Sequence, residues 1–218
     1  RGARWRWHYH PALFRVILQQ SYPYALVVLL MTAYTRIDAV MLERMLSNGA
    51  QEADYYAAAY RLLDAASMLG YLFAGLLLPM FARQLQVKQA VGPLVRLSIQ
   101  LIWSLVVPLV WSIFFFAEPL MELLYSHAGD AYGAQLLRIL MLTLIPVSGA
   151  YIYGTLLTAH GSLWPMNRIF MAGLVLNIAL NVVLIPRFQA LGAATATLAT
   201  QALVFIGQVG LCWKRLPL

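Results

Sequence analysis

The sequence has little cysteine and little charge. Its 218 residues include one cysteine, Cys212, which excludes an internal disulfide and a cysteine-based metal cluster and favours a small buried apolar side chain. Only 11% of the residues are charged, whereas globular domains average about 25%. Hydrophobic residues make up 62%, against an average of about 45–50%. A soluble domain of this size could not bury so much apolar surface, so the composition predicts an integral membrane protein.

The sequence also lacks the residue patterns that carry catalysis or bind cofactors. It contains no paired catalytic carboxylates, no Ser/His/Asp set, no phosphate-binding glycine loop and no aspartate-rich metal motif. His8 and His10 have the spacing of metal ligands, but no carboxylate or thiolate lies near them in the sequence. We therefore predict that the protein is not an enzyme and that it has no catalytic residue, no metal and no cofactor.

The chain is nonetheless basic, with 15 Lys and Arg against 8 Asp and Glu. These cations are spread singly and mostly flank apolar runs, where they would meet the headgroups of membrane lipids rather than nucleic acid. Residues 4–8 mix arginines with amphipathic indole rings and fit either the headgroup layer or a flexible loop. Residues 1–10 lack the apolar core of a signal peptide, and the chain reads as a piece of a longer protein.

Six apolar runs reach or nearly reach the length that a helix needs to cross a bilayer, about 20 residues at about 1.5 Å each. They cover residues 13–46, 55–81, 94–116, 134–159, 167–185 and 191–213. The runs follow one another with short connections, so we predict one all-α polytopic membrane bundle of about six transmembrane helices.

Lys and Arg concentrate in alternate connections between these runs. They precede the first run, lie between the second and third and between the fourth and fifth, and follow the last. The positive-inside rule places these connections, and both ends of the chain, in the cytoplasm. We predict a cytoplasmic interfacial segment at residues 1–12, a six-helix transmembrane lobe at 13–213 and a cytoplasmic tail at 214–218.

Four charges interrupt the first two spans: Arg36, Asp38, Arg61 and Asp64. Each costs at least about 2.5–3.5 kcal/mol at bilayer depth unless it is compensated. In an antiparallel hairpin of these spans, Asp38 lies level with Arg61 and Arg36 lies level with Asp64. We predict one neutralised cluster of four charges, which either clasps the hairpin or faces an aqueous cavity where the arginines bind a phosphate.

The fifth span carries Asn177 and Asn181 at i and i+4. This spacing puts both amides on one helix face. They would hydrogen-bond a neighbouring helix or line a cavity.

Two stretches of the sequence resemble the C-terminal lobe of bacterial oligosaccharide flippases. Residues 36–42 and 54–62 resemble the pattern D-x-x-(M/L)-L … G-x-Y-x-x-A-x-(K/R), and residues 176–197 resemble L-N-x-x-L-N-x-x-L-I-P-x-(Y/F)-G-x-x-G-A-A-x-A-T. The chain departs from these patterns at two places. Residues 52–54 read Glu-Ala-Asp where a glycine usually precedes the tyrosine, and Gln189 replaces the glycine after Phe188.

The resemblance implies the polysaccharide biosynthesis and export family, which is related to the lipid II flippases and the multidrug and toxin extrusion transporters. It implies two six-helix lobes around a central cavity, with this chain as the second lobe and the first lobe of the same protein as its partner. The substrate would be an undecaprenyl-pyrophosphate-linked oligosaccharide, flipped across the bacterial inner membrane by alternating access for surface polysaccharide or lipopolysaccharide biosynthesis. Arg36 and Arg61 would provide countercharge for the pyrophosphate.

Several alternatives remain at this stage. A cation antiporter of the same superfamily would use Asp38 and Asp64 if their arginines faced elsewhere. A membrane-embedded transferase would need acidic groups gathered at one membrane face, and a scaffold would use the charges only for structure. The candidate substrate-binding residues are Arg36, Asp38, Arg61, Asp64, Asn177 and Asn181.

Overall fold

Residues 11–125 and 128–216 are described by a computed structural model, and within them the chain is helical with no strand. The helices are α1 Pro11–Met45, α2 Gly49–Gln86, α3 Gly92–Phe115, α4 Ala117–Leu124, α5 Ala131–Ala159 and α6 Leu163–Arg215. The interpretations of residues 4–8, His8 and His10 concern residues outside the described ranges.

The long helix α6 is two helices joined by a break at Gln189, where φ is 53° and ψ is −133°. A straight helix would hold Asn181 and Thr197 about 24 Å apart, at about 1.5 Å per residue. Both side chains instead hydrogen-bond the carboxylate of Asp38. The arms of α6, residues 163–188 and 190–215, therefore run antiparallel and correspond to the predicted fifth and sixth spans.

The helices α1, α2, α3, α5 and α6 are long and apolar enough to cross a membrane, by length and composition. Because α6 folds back on itself, the described residues form six such segments, which confirms the predicted all-α polytopic bundle. The short helix α4 was not predicted; its 8 residues are too few to cross, and they join the third span to the fourth.

The helix α5 is the centre of the bundle and packs against α2, α3 and α6, whereas α1 packs mainly on α6. Leu136, Leu137, Leu140 and Met141 of α5 are fully buried. Large apolar side chains such as Leu76 and Phe115 are instead exposed. Such exposure is unfavourable in water but not in lipid tails, which are as apolar as leucine.

The two ends of the bundle differ in charge. At one end α1 stops, α2 and α5 start and α4 lies between spans; its carboxylates are Glu43, Glu52, Asp54, Glu118, Glu122 and Asp130. We call this the acidic end. At the opposite end α2 and α5 stop, α3 starts, and α6 both starts and stops. Its basic side chains are those of Arg83, Lys88, Arg96, Arg168, Lys214 and Arg215. We call it the basic end, and the described chain places no Asp or Glu there.

Candidate functional site

A cavity of about 570 Å³ lies between α1, α2, α5 and α6. Its wall combines one pair of opposite charges with neutral hydroxyl and amide groups. The polar side chains of the wall include Arg36, Asp64, Tyr60, Tyr151, Gln201 and Gln208. The cavity can therefore accept a large polar group within an otherwise apolar bundle.

Arg36 and Asp64 form the charged part of the cavity wall. Nη2 of Arg36 donates to Oδ2 of Asp64 at 2.8 Å, and the two side chains are 61% and 44% exposed. The guanidinium also lies over the ring of Tyr60, 5.2 Å from its centroid, in a cation–π contact. A guanidinium has five N–H donors, so Arg36 keeps donors for a ligand in the cavity while it is paired.

Asp38 lies on the opposite side of α1, where it is fully buried against α2 and α6. Its Oδ2 accepts hydrogen bonds from the hydroxyls of Tyr56, at 2.8 Å, and of Thr197. Its Oδ1 accepts from Nδ2 of Asn181 at 2.6 Å. All three partners are neutral, so this carboxylate has no countercharge among the described residues.

The predicted pairing of Asp38 with Arg61 is wrong. Residues two positions apart on a helix point about 200° apart, at 3.6 residues per turn. Arg36 and Asp38 therefore face different neighbours, although both lie level with charges on α2. Arg61 is exposed and forms no ion pair within the described chain. Among the described residues, the predicted cluster of four charges is in fact one ion pair, one buried carboxylate and one cation without an ion-pair partner.

Asn177 and Asn181 lie in the helix interface beside Asp38, and neither lines the cavity. Nδ2 of Asn181 also donates to Oδ1 of Asn177 at 3.1 Å. Oδ1 of Asn181, Nδ2 of Asn177 and Oγ1 of Thr200 are buried without a partner in the described chain. Asp38 and these neighbours together hold one carboxylate and several neutral oxygens. The described residues contain no cluster of three His, Cys, Asp or Glu that could hold a metal ion.

Comparison with known protein families shows which family the chain belongs to. The family model described as Lipid II flippase MurJ matches residues 1–217. The chain belongs to this flippase family. The match confirms the predicted membership of the bacterial flippase superfamily and of a family whose activity is transport of lipid-linked sugars across a membrane. No curated protein sequence matches the chain.

Two partners of Asp38 in this flippase were missed at the sequence level. Tyr56 and Thr197 were not assigned a role, although both lie within the motif stretches at residues 54–62 and 176–197. Their position in those motifs was the available signal. What the sequence did not reveal is that the two motifs converge on one carboxylate.

A second buried carboxylate, Glu52, was also missed. It is 6% exposed, and its Oε2 accepts from the hydroxyl of Tyr132 at 2.6 Å and from the backbone N–H of Ala190 at 3.1 Å. Its Oε1 accepts from Nδ2 of Asn48 at 3.3 Å. Because Ala190 follows the break at Gln189, Glu52 caps the second arm of α6 and ties it to α2 and α5.

Proposed function

We propose that this chain forms a lobe of a flippase that moves an undecaprenyl-pyrophosphate-linked saccharide from the cytoplasmic to the outer leaflet of the bacterial inner membrane by alternating access. Arg36 carries the proposal, because it is an exposed cation in the cavity of a chain from the lipid II flippase family. A pyrophosphate that crosses a low-dielectric region needs countercharge. The saccharide is that of lipid II or a surface-polysaccharide unit, and both classes share the pyrophosphate.

Asp64 gives Arg36 a partner when the cavity is empty. A pyrophosphate would compete with Asp64 for the guanidinium, since both are anions that accept from the same donors. Binding and release then become an exchange of partners, so the arginine is never left unpaired at bilayer depth. The neutral part of the wall, which includes Gln208 and Tyr151, would hydrogen-bond the saccharide.

Arg61 fits a later step of the same route. It lies 11 positions before Leu72, which lines the cavity, and 11 residues make about three helical turns, so both are on one face of α2. Arg61 is the nearer of the two to the acidic end. We propose that it receives the pyrophosphate after Arg36 as the substrate moves toward that end.

The exposure of the Arg36 side chain in the cavity, 61%, supports the two-lobed arrangement. Residues 13–213 would form one lobe, with residues 1–12 and 214–218 at the cytoplasmic surface. The first lobe of the same protein would then cover the cavity and complete its wall. In this arrangement the basic end faces the cytoplasm, as the positive-inside rule predicts.

Asp38 supports a coupling role rather than contact with the substrate. The antiporter alternative required a carboxylate free of its arginine, and Asp38 meets that condition. We propose that Asp38, with Asn177 and Asn181, binds the proton or alkali cation that drives the transport cycle. The family match favours this use over drug antiport.

The proposed role of Arg36 is tested in a flippase-deficient bacterium that expresses the full-length protein. We expect Arg36→Gln to lower transport about tenfold or more at matched membrane abundance, since a hydrogen bond to a charged group contributes about 1.5–3 kcal/mol. Glu118→Gln is the matched control, because it breaks the Arg138–Glu118 pair, at 3.3 Å, outside the cavity. Cell-wall precursor and surface polysaccharide are measured in parallel, which separates the two substrate classes.

If Arg36→Gln transported substrate as well as the wild type, the Arg36–Asp64 pair would have only a structural role and the proposal would be wrong. Equal losses in Arg36→Gln and Glu118→Gln would also contradict the proposal, because the effect would then come from any ion pair of the bundle. Asp64→Asn should bind substrate at least as tightly as wild type, since it leaves Arg36 without a competing anion.

A further inference from the structure

A second concave site, which we call the groove, lies at the basic end of the bundle. It encloses about 950 Å³ between the first turns of α3, Tyr153 of α5 and the end of α6 at Trp213 and Leu216. None of its lining residues lines the cavity that contains Arg36. The groove is therefore a separate site.

The polar lining of this groove is cationic. Arg96 and Gln100 lie one turn apart on the same face of α3, so the guanidinium and the amide can donate to one ligand. Arg96 is exposed and has no ion pair within the described chain. The basic end contains no described carboxylate that could neutralise it. A ligand with negative charge is thus favoured by charge complementarity.

The rest of the groove is lined by apolar side chains of α3 and by the amphipathic indole ring of Trp213. Val95, Leu97 and Ile99 line it from α3, and the indole of Trp213, whose residue is 72% exposed, lies at its other side. Indole rings prefer the headgroup level of a bilayer. A free phosphate ion would leave these apolar side chains uncovered, whereas an acyl chain beside a phosphate would cover them.

We propose that the groove binds an anionic phospholipid of the leaflet at the basic end, with the lipid phosphate on Arg96 and Gln100 and an acyl chain against Leu97 and Trp213. Basic pockets between transmembrane helices are known to bind anionic headgroups. The lipid would bridge the start of α3 and the end of α6, which are far apart in the sequence. This site does not depend on the identity of the flipped substrate.

The test uses the full-length protein in detergent and native mass spectrometry, with dioleoyl-phosphatidylglycerol and dioleoyl-phosphatidylcholine as probes. We expect the wild type to retain phosphatidylglycerol preferentially. Arg96→Gln should lower that retention about fivefold, the effect expected for one basic group at a lipid surface. Arg83→Gln is the matched control, because Arg83 is an exposed cation of the basic end that does not line the groove.

A second variant tests the groove without removing the cation. Gln100→Glu places a carboxylate one turn from Arg96, where it pairs with the guanidinium, and should cause the same loss. Both positions are exposed, so the core packing is unaffected, and an unchanged melting temperature verifies this. Equal retention of the two lipids by the wild type, or equal losses in Arg96→Gln and Arg83→Gln, would overturn the proposal. Displacement of the lipid by excess inorganic phosphate would also overturn it and would identify a free-phosphate site instead.

Discussion

At the scale of single residues, Asp38 is a fully buried carboxylate, and every donor to it in the described part of the chain is neutral. Each hydrogen bond to a charged group contributes about 1.5–3 kcal/mol, but the effective penalty for burying an ion is several kcal/mol. Neutralisation by a proton or an alkali cation would remove most of that penalty. Because Tyr56 belongs to α2 and Thr197 to α6, the charge state of Asp38 would change the packing of three helices.

Substitution of Asp38 separates the charge from the hydrogen bonds. In Asp38→Asn the amide oxygen can still accept from Asn181, and the amide nitrogen can donate to the hydroxyls of Tyr56 and Thr197. We expect unchanged or higher thermal stability and loss of ion-driven transport. Asp38→Leu leaves buried donors unsatisfied, so we expect it to destabilise the protein by about 1–3 kcal/mol per donor.

Thermal unfolding in detergent and ion-driven transport in proteoliposomes are the measurements for both variants. If Asp38→Asn were as unstable as Asp38→Leu, the negative charge itself would be required by the fold. Wild-type ion dependence in Asp38→Asn would place the coupling site elsewhere.

At the scale of structural elements, the two positions at which the sequence departs from the flippase motifs meet at the break in α6. Gln189 stands where the motif has glycine, and its φ of 53° lies in the region that favours glycine. Glu52, from the other departure, accepts the N–H of Ala190 immediately after the break. The carboxylate therefore stabilises a backbone conformation that is unfavourable for a glutamine.

Substitutions at this break test the compensation. A residue in a sparsely populated conformation costs about 1–3 kcal/mol, so Gln189→Gly should raise the melting temperature in detergent. Glu52→Ala should lower it, because it leaves the N–H of Ala190 and the hydroxyl of Tyr132 without their acceptor. Glu43→Gln, at an exposed carboxylate of the same end, should have little effect. No gain from Gln189→Gly would show that position 189 is not strained.

The elements were predictable from the sequence to different degrees. The six spans follow from apolar runs of sufficient length, and the reversal at Gln189 was expected because one run ends at residue 185 and the next begins at residue 191. The partners of charges within the spans were not predictable, because the level of a residue in a hairpin does not fix the direction of its side chain. That direction depends on helix rotation, which only packing against α5 and α6 determines. The helix α4 was missed because it is shorter than a span and lies within a connection.

At the scale of the whole molecule, charge is segregated along the bundle axis. The basic end has no described carboxylate, and six of the 8 acidic residues lie at the acidic end. This polarity was visible in the sequence, since it needs only the positions of Lys and Arg relative to the spans. The cavity was not, because its wall combines residues from α1, α2, α5 and α6 that share no local pattern. The orientation that the polarity implies is a prediction of its own.

Labelling of introduced cysteines tests this orientation in the full-length protein. Ser47 lies between α1 and α2 at the acidic end, and Gln89 lies between α2 and α3 at the basic end; both are exposed. The natural Cys212 is fully buried, so it should react little with a membrane-impermeant maleimide. We expect Ser47→Cys to be labelled in intact spheroplasts and Gln89→Cys only after permeabilisation, because positively charged connections stay in the cytoplasm. The reverse pattern would put the basic end outside the cytoplasm, and the proposed path from Arg36 toward Arg61 would then lead inward and describe uptake instead of export.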